Sequence, residues 1–196
     1  FISMIEDITA RKQTDEARGR LAAVAESSSD AILLRDLEGK VTYWNASATR
    51  MYQYTEAEVL GTLTQKLIPP ELLAGRAEMW SKARAGGLVS NFETVRVRKD
   101  GSLIDVSVSI SPIKDSTGHV TGIAGISRDI TAQKTAERSL RESELHFRTV
   151  ANSGSALVWT SGVDGQRTYF NDAWLMFTGR RFEEMMGDGW RELVHP

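Results

Sequence analysis

The chain has 196 residues, with 24 lysines and arginines against 26 aspartates and glutamates, so its formal net charge at pH 7 is −2. This near balance excludes a strongly basic face for nucleic acid or anionic lipid, and the absence of cysteine excludes disulfides, thiolate nucleophiles and a flavin attached to sulfur. No apolar run approaches the roughly 20 residues that cross a bilayer, so we expect a cytoplasmic chain without membrane contact of its own, from a parent protein that could be membrane-anchored elsewhere.

The first predicted elements are a β-hairpin and two short helices. Two runs rich in apolar, β-branched and aromatic residues, Ala31–Arg35 and Val41–Trp44, are separated by a turn that contains Asp and Gly. Asn45 follows the second strand, and its short side chain can cap a helix over Ala46–Met51. Helical composition returns over Glu56–Leu60.

A longer helix and a three-stranded meander complete the predicted unit. Residues 71–85 have helical composition and lie between two prolines and two glycines. Strands are predicted over Asn91–Arg98, Leu103–Ile113 and Val120–Ile130, with turn sequences between them. In the middle strand apolar and polar residues alternate, which indicates one buried and one solvated face. The expected fold class is α+β: a five-stranded antiparallel sheet with small helices and one longer helix on one face.

The sequence repeats itself at a spacing close to the size of a small domain. Residues 6–12 recur at 128–134, an offset of 122, and the run that begins at Tyr43 recurs from Tyr169, an offset of 126. A period of this length is typical of tandem domains rather than of a solenoid. We expect residues 1–9 to be the last strand of an upstream domain, 10–20 a helical linker, 21–131 a complete domain, 132–146 a coiled-coil-like helical linker, and 147–196 the N-terminal part of a second, truncated domain.

Several short motifs, in order along the complete unit, together resemble one known family. They are Trp44-Asn45 after its turn, Glu58-Val59-Leu60-Gly61, Arg98-Lys99-Asp100-Gly101, Ser111-Pro112-Ile113 and Arg128-Asp129-Ile130-Thr131. Residues 21–131 resemble a PAS domain, and the flanking segments then resemble parts of neighbouring PAS domains. The resemblance implies a sensory or protein-interaction module without catalytic residues of its own, in a sensor histidine kinase, a cyclic-dinucleotide enzyme or a transcription regulator.

The predicted linkers are the expected route of signal output. Residues 131–148 lack proline and glycine and are rich in helix formers. On a seven-residue frame Leu140, Phe147 and Val150 fall on one seam among poorer core residues, which predicts a weak coiled coil and a homodimer formed through the flanking helices. A solvated surface helix is the alternative interpretation.

Two junctions are predicted to couple the sheet to these helices. Asp129, Ile130 and Thr131 lie where the last strand becomes the linker helix, and Trp44 and Asn45 follow the first hairpin. A structural role as anchors or N-caps is compatible with coupling, because an anchor would transmit distortion of the sheet. We expect neighbouring PAS and output domains of the same chain to receive the signal, foremost a histidine kinase. The alternatives are a diguanylate cyclase or phosphodiesterase, and a ligand-free dimerisation scaffold.

Neither catalytic residues nor a metal site is predicted. The histidines are His119, His146 and His195, without carboxylate or thiol partners at ligand spacing. His146 lies on the predicted linker helix, but Phe147 stands where the phosphoacceptor box of histidine kinases has Glu, and no proline follows. We therefore interpret His146 as part of the entry to the next domain.

The sequence leaves open whether the core of the complete unit binds a ligand. A covalent cysteinyl flavin is excluded, and the helix predicted over residues 71–85 offers no histidine for haem. A noncovalent flavin and a small organic ligand remain open, against a collapsed core without a ligand, which is the favoured state. The candidate pocket residues are Leu67, Met79, Trp80, Phe92, Val108 and Ile126.

Overall fold

The computed structural model describes residues 19–20, 22–187 and 189–193, in two compact units that divide between Lys134 and Thr135. The predicted strand over residues 1–9 and most of the predicted linker over 10–20 lie outside the described residues. Within the described part of the chain, no helix is long and apolar enough to cross a membrane.

The first unit is a five-stranded antiparallel sheet with its helices between the second and third strands. Its strands are β1 (Ala31–Arg35), β2 (Val41–Trp44), β3 (Val89–Val97), β4 (Leu103–Lys114) and β5 (Val120–Asp129). Its helices are α1 (Ala46–Tyr52), α2 (Glu56–Val59) and α3 (Leu73–Arg84), with 3₁₀ turns over Thr64–Leu67 and Pro70–Leu72, and residues 22–27 are helical before β1. The strand order is β2-β1-β5-β4-β3, with every neighbouring pair antiparallel. The predicted fold class is confirmed.

The core lies between the helices and one face of the sheet, which we call the inner face. The alternating strand β4 buries Ile104, Val106, Val108 and Ile110 on this face, as its sequence predicts. Helices and turns add Tyr52, Leu67 and Ala83 from the other side. Each large apolar side chain buried here contributes about 1.5–3 kcal/mol, so the inner face and its helices stabilise one another.

A β-bulge sets which residues of β3 point inward. Strand β3 begins at Val89, two residues before the predicted start at Asn91, and its register shifts between Val89 and Phe92. Asn91, within the shift, has a φ of 51°, a left-handed conformation that Asn tolerates better than most residues. Beyond the bulge Arg96 lies opposite the buried Ile104. Side chains opposite each other in a sheet share a face, so this arginine points into the core.

A long helix, α4 (Thr131–Asn152), leads from the end of the first unit into the second. The helix predicted over residues 131–148 is present and continues to Asn152. The second unit then has β6 (Trp159–Ser161), β7 (Arg167–Phe170), α5 (Asp172–Thr178), α6 (Phe182–Met185) and a 3₁₀ turn over Gly189–Leu193. Strands β6 and β7 form an antiparallel hairpin.

Candidate functional site

A cavity of about 40 Å³, which we call the inner cavity, lies against the inner face of the sheet in the first unit. Its apolar lining consists of Leu33, Leu67, Ile68, Met79, Val108 and Ile110, together with Gly125. Its polar lining consists of Arg35, Tyr52, Thr64, Arg76, Arg96 and Ser127. Arginine is rarely buried in a protein core without a partner, so the polar half of this lining identifies the cavity as the candidate site.

Arg35 places a positive charge at a core position. It ends β1 on the same face as the buried Leu33, and only 7% of its surface is exposed. The carbon of its guanidinium lies 4.6 Å from the centre of the Trp80 ring, a cation–π distance, while its Nε has no hydrogen-bond partner among the described residues. Burial first, and then the charges of Arg76 and Arg96, lower the pKa of Arg35 to about 10. The folded environment therefore disfavours this charge.

Two further arginines reach the same cavity from β3 and α3. Arg96 is 8% exposed, and its Nη1 donates to the Val95 carbonyl at 2.9 Å and to Thr94 Oγ1 at 3.3 Å. Arg76 is half-buried, with its Nη2 3.5 Å from Thr64 Oγ1 and its Nε without a partner among the described residues. Burial lowers the pKa of both guanidinium groups.

No carboxylate within the described part of the chain forms an ion pair with any of these three arginines. The ion pairs of the first unit lie elsewhere and join Arg98 to Asp129, Lys99 to Glu58, Arg128 to Asp30 and Lys134 to Glu93. An uncompensated charge in a protein interior costs several kcal/mol, and like charges in one cavity raise that cost. The inner cavity is therefore strongly electropositive.

Hydroxyl groups complete the polar lining of the inner cavity. Tyr52 is fully buried, and its hydroxyl interacts with Ser127, which lines the same cavity. Burial raises the pKa of Tyr52, and this effect exceeds the opposing effects of Ser127, Arg96 and Arg35. The phenol therefore stays protonated at neutral pH. Thr64 is also buried and adds a third hydroxyl.

A second cavity of about 110 Å³, the outer cavity, shares Arg76, Met79 and Arg96 with the inner one. Its remaining lining consists of Glu71, Leu72, Gly75, Phe92 and Thr94. Glu71 and Phe92 are exposed to solvent. The outer cavity therefore borders the inner one, with two arginines in the lining that they share.

The structure brings most of the predicted pocket residues together. The inner or the outer cavity contains Leu67, Met79, Phe92 and Val108. Trp80 lies beside them, with its ring against Arg35. Ile126 does not join them: it is 40% exposed on the opposite face of β5, because Gly125 and Ser127 occupy the inward positions.

The three arginines were not among the residues predicted from the sequence. A signal for Arg35 is present in Ala31–Arg35, where alternation places it on the face of two apolar residues. The signal for Arg96 is weaker, because the bulge at Asn91 changes the phase of the strand. Charged residues at inward strand positions are the feature to look for in such sequences.

The C-terminal junction is a compact set of hydrogen bonds where β5 becomes α4. Oδ1 of Asp129 accepts from the backbone N–H of Thr131 at 2.9 Å, and its Oδ2 lies 3.3 Å from Nη2 of Arg98. The backbone N–H of Ile130 donates to the Asp105 carbonyl at 2.9 Å, and the backbone N–H of Asp105 donates to Thr131 Oγ1 at 3.1 Å. The start of α4 is thus fixed to strand β4.

At the N-terminal junction, Asn45 joins the helical segment before β1 to the hairpin and to α1. Its side chain is fully buried. Its Oδ1 accepts from the backbone N–H groups of Ala48 at 2.8 Å and Ile32 at 3.0 Å, which confirms the predicted N-cap. Its Nδ2 donates to the carbonyls of Ala25 at 2.8 Å and Asp30 at 3.0 Å. One side chain therefore binds four backbone groups in three segments of the chain.

Neighbouring side chains reinforce this N-terminal junction. Trp44 is buried, and its Nε1 donates to Thr49 Oγ1 at 3.1 Å. Glu26, in the helical segment before β1, accepts from the Tyr43 hydroxyl at 2.7 Å and from the Ala46 N–H at 3.0 Å. The Tyr43 bond is the main cause of the lowered pKa of Glu26.

The second unit repeats the asparagine junction. Oδ1 of Asn171 accepts from the N–H groups of Trp174 at 3.1 Å and Val158 at 3.0 Å. Its Nδ2 donates to the carbonyls of Ala151, within α4, at 2.6 Å and Ala156 at 2.8 Å. Each partner lies 126 residues after the corresponding partner of Asn45, so the repeat in sequence is also a repeat in hydrogen bonding.

The histidines do not form a metal centre in the described part of the chain, where no three His, Cys, Asp or Glu side chains are grouped to hold an ion. Nδ1 of His119 lies 2.7 Å from Thr117 Oγ1 in the turn between β4 and β5. His146 lies on α4 and is exposed, and His195 lies outside the described residues.

The fold and the site define an α+β domain with a polar cavity against its sheet and a helix leading from its last strand. The family described as the PAS domain matches residues 29–132, more than half of the chain. The chain belongs to the PAS domain family. The crystal structure of the PAS domain of a protein from Colwellia psychrerythraea is similar, with a TM-score of 0.55 and 26% identity, and the match covers 59% of this chain and 98% of that one.

Two curated relatives with similar sequences are named as sensors, and both are much longer than this chain. The methyl sulfide methyltransferase-associated sensor of Methanosarcina acetivorans is 30% identical over 139 residues, which cover 70% of this chain and 14% of that protein. The sensor histidine kinase TmoS of Ectopseudomonas mendocina is 26% identical over 140 residues, which cover 71% of this chain and 14% of that protein. The chain therefore spans about a seventh of the length of these two relatives.

Proposed function

We propose that residues 21–131 are a complete PAS sensor that relays changes in its core through the flanking helices to a histidine kinase in the same protein. The junction between β5 and α4 carries this proposal. Asp129 and Thr131 fix the first turn of α4 to the sheet, so a shift of β5 would move the helix that leaves it. The name of TmoS as a sensor histidine kinase supports the choice of output.

The helical segment before β1 is the second half of the proposed relay. Asn45 and Glu26 bind this segment to the hairpin and to α1 through hydrogen bonds of 2.7–3.0 Å. A signal from an upstream domain would enter by this route. The absence of cysteine fits a reducing compartment, which supports a cytoplasmic location for the module.

We also propose that residues 147–196 begin a second PAS domain, so that the chain samples a tandem array. The support is the hydrogen bonding of Asn171, which repeats that of Asn45. Because Asn171 accepts from Val158 and donates to Ala151 near the end of α4, the helix would deliver its motion to the next hairpin.

The flanking helices would act in a homodimer. Leu140 and Val150 on α4 are 72% and 58% exposed, and Leu140 lies seven residues before Phe147, as a seam between two helices requires. The small number of apolar residues on this seam predicts a marginal interface. A marginal interface is one that a small input of free energy can shift.

The test is Asp129→Ala in the full-length protein, measured as the rate of autophosphorylation with and without the physiological input. Asp115→Ala is a matched control, because Asp115 in the exposed β4–β5 turn accepts from the Thr117 N–H at 2.9 Å, as Asp129 does from Thr131. We expect Asp129→Ala to abolish the response to the input and Asp115→Ala to preserve it. An unchanged response in a folded Asp129→Ala protein would contradict the relay, and a full-length protein without kinase activity would contradict the assigned output.

A further inference from the structure

The inner cavity carries positive charge that the first unit does not neutralise. Arg35 and Arg96 are each more than nine-tenths buried, and Arg76 lines the same cavity. None of the three forms an ion pair within the described residues, and Nε of Arg35 and of Arg76 has no hydrogen-bond partner there. Buried charges in proteins are normally paired. The cavity thus has the composition of an anion site whose negative charge comes from outside the chain.

The two cavities together offer guanidinium groups to a small molecule with charge at two positions. The inner cavity has a volume of about 40 Å³ and the outer one about 110 Å³. Arg76 and Arg96 border both cavities, while Arg35 borders only the inner one. An elongated molecule that spans them would therefore meet guanidinium groups in both cavities.

The apolar part of the lining distinguishes an organic anion from an inorganic one. Leu67, Ile68 and Met79 line the inner cavity beside the arginines, and methylene groups would pack against them. Carboxylates match the planar fork of arginine and bind it in bidentate geometry. The protonated hydroxyl of Tyr52 and that of Thr64 offer further hydrogen-bond donors.

We propose that the two cavities bind a short-chain dicarboxylate through Arg35, Arg76 and Arg96. This ligand deepens the sensory function proposed above, since it would be the input that the module relays. Binding itself needs no signalling partner, so the site can be tested on the chain as it stands. Glu71 borders the outer cavity and is exposed to solvent. Its carboxylate does not line the inner cavity.

The experiment is isothermal titration calorimetry of residues 1–196 with succinate, with its neutral diamide succinamide and with inorganic phosphate, at one fixed ionic strength. We expect saturable binding of succinate, no binding of succinamide and weaker binding of phosphate. Arg35→Met, Arg76→Met and Arg96→Met should each weaken succinate binding by about tenfold or more, since each removes charge-assisted hydrogen bonds. Arg84→Met, an exposed position at the end of the same helix α3, should leave the affinity unchanged.

Four results would overturn the proposal: no saturable binding of succinate, equal binding of succinamide, tighter binding of phosphate, or unchanged affinity in the Arg76→Met variant. Circular dichroism of each variant separates loss of binding from loss of folding. If Arg35→Met does not fold, Arg76→Met decides, because Arg76 is only half-buried. Failure here would leave the relay intact, since Asp129→Ala tests that separately in the full-length protein.

Discussion

Replacing Asn45 by alanine should destabilise the first unit more than any ordinary surface substitution. The side chain is fully buried and makes four hydrogen bonds of 2.8–3.0 Å. Alanine would leave the N–H groups of Ile32 and Ala48 and the carbonyls of Ala25 and Asp30 without these partners. Ile32 lies in β1 and Ala48 in the first turn of α1, so regular structure holds their two N–H groups in place and neither can easily turn to another partner.

The expected loss follows from the four bonds. Removing an N-cap typically costs about 1 kcal/mol, and a buried donor without a partner costs about 1–3 kcal/mol. The two carbonyls lie at half-exposed residues, Ala25 and Asp30, so water can solvate them and they add less. We therefore expect Asn45→Ala to lower the free energy of unfolding by about 3–5 kcal/mol. That is a large share of the 5–15 kcal/mol that is ordinary for a domain.

Urea denaturation followed by circular dichroism would measure this loss, and hydrogen exchange at Ile32 and Ala48 would locate it. Asn171→Ala is the matched control, because it removes the same four kinds of hydrogen bond from the second unit. The control should leave the unfolding of the first unit unchanged. A loss below about 1 kcal/mol for Asn45→Ala would refute the reasoning, since a single net hydrogen bond accounts for that much.

The remaining predictions concern pH, oligomeric state and local stability. The ion pair with Lys99, aided by Thr55, lowers the pKa of Glu58 from 4.5 to about 2. The wild type should therefore have a larger free energy of unfolding than Glu58→Gln above pH 4.5, and this difference should disappear as the pH falls towards 2. A difference that stays constant with pH in urea titrations would contradict this. Leu140→Glu should shift the chain from dimer to monomer in analytical ultracentrifugation, while a wild type that is already monomeric would contradict the dimer. Hydrogen exchange should be slower over residues 103–129 than over 159–170, because a two-stranded hairpin is marginally stable alone, and equal protection would contradict that expectation.

The local parts of the fold could be predicted from the sequence. Alternation in β4 and the turn residues on either side of it identify the meander, and the position of Asn45 identifies a helix start, because these signals depend on neighbouring residues. The pairing of β1 with β5 could not be predicted in this way. It joins Ala31 to Ser127, and no local pattern specifies a partner so distant along the chain.

The candidate site was predictable only in its apolar half. Val108 and Met79 are the residue types expected in a core, and both line the inner cavity. Arg35 and Arg96 contradict the ordinary distribution of charge between core and surface, so residue type alone places them outside. Ile126 shows the opposite problem, because β5 carries apolar residues on both faces and the sequence does not say which face is inward.

The sheet itself connects the electropositive cavity to the C-terminal junction. Ser127 lines the inner cavity, and Asp129 lies two residues further along β5 on the same face. Arg96 lines the cavity from β3, and Arg98, two residues further along, pairs with Asp129 at 3.3 Å. Each of these strands thus carries a cavity residue two positions before a junction residue, Asp129 at the end of β5 and Arg98 just after the end of β3. Because the positive charges in the cavity are uncompensated, an anion bound there would change the forces on Arg96. In the proposed relay, that change would pass to Arg98 and Asp129 and so to the first turn of α4.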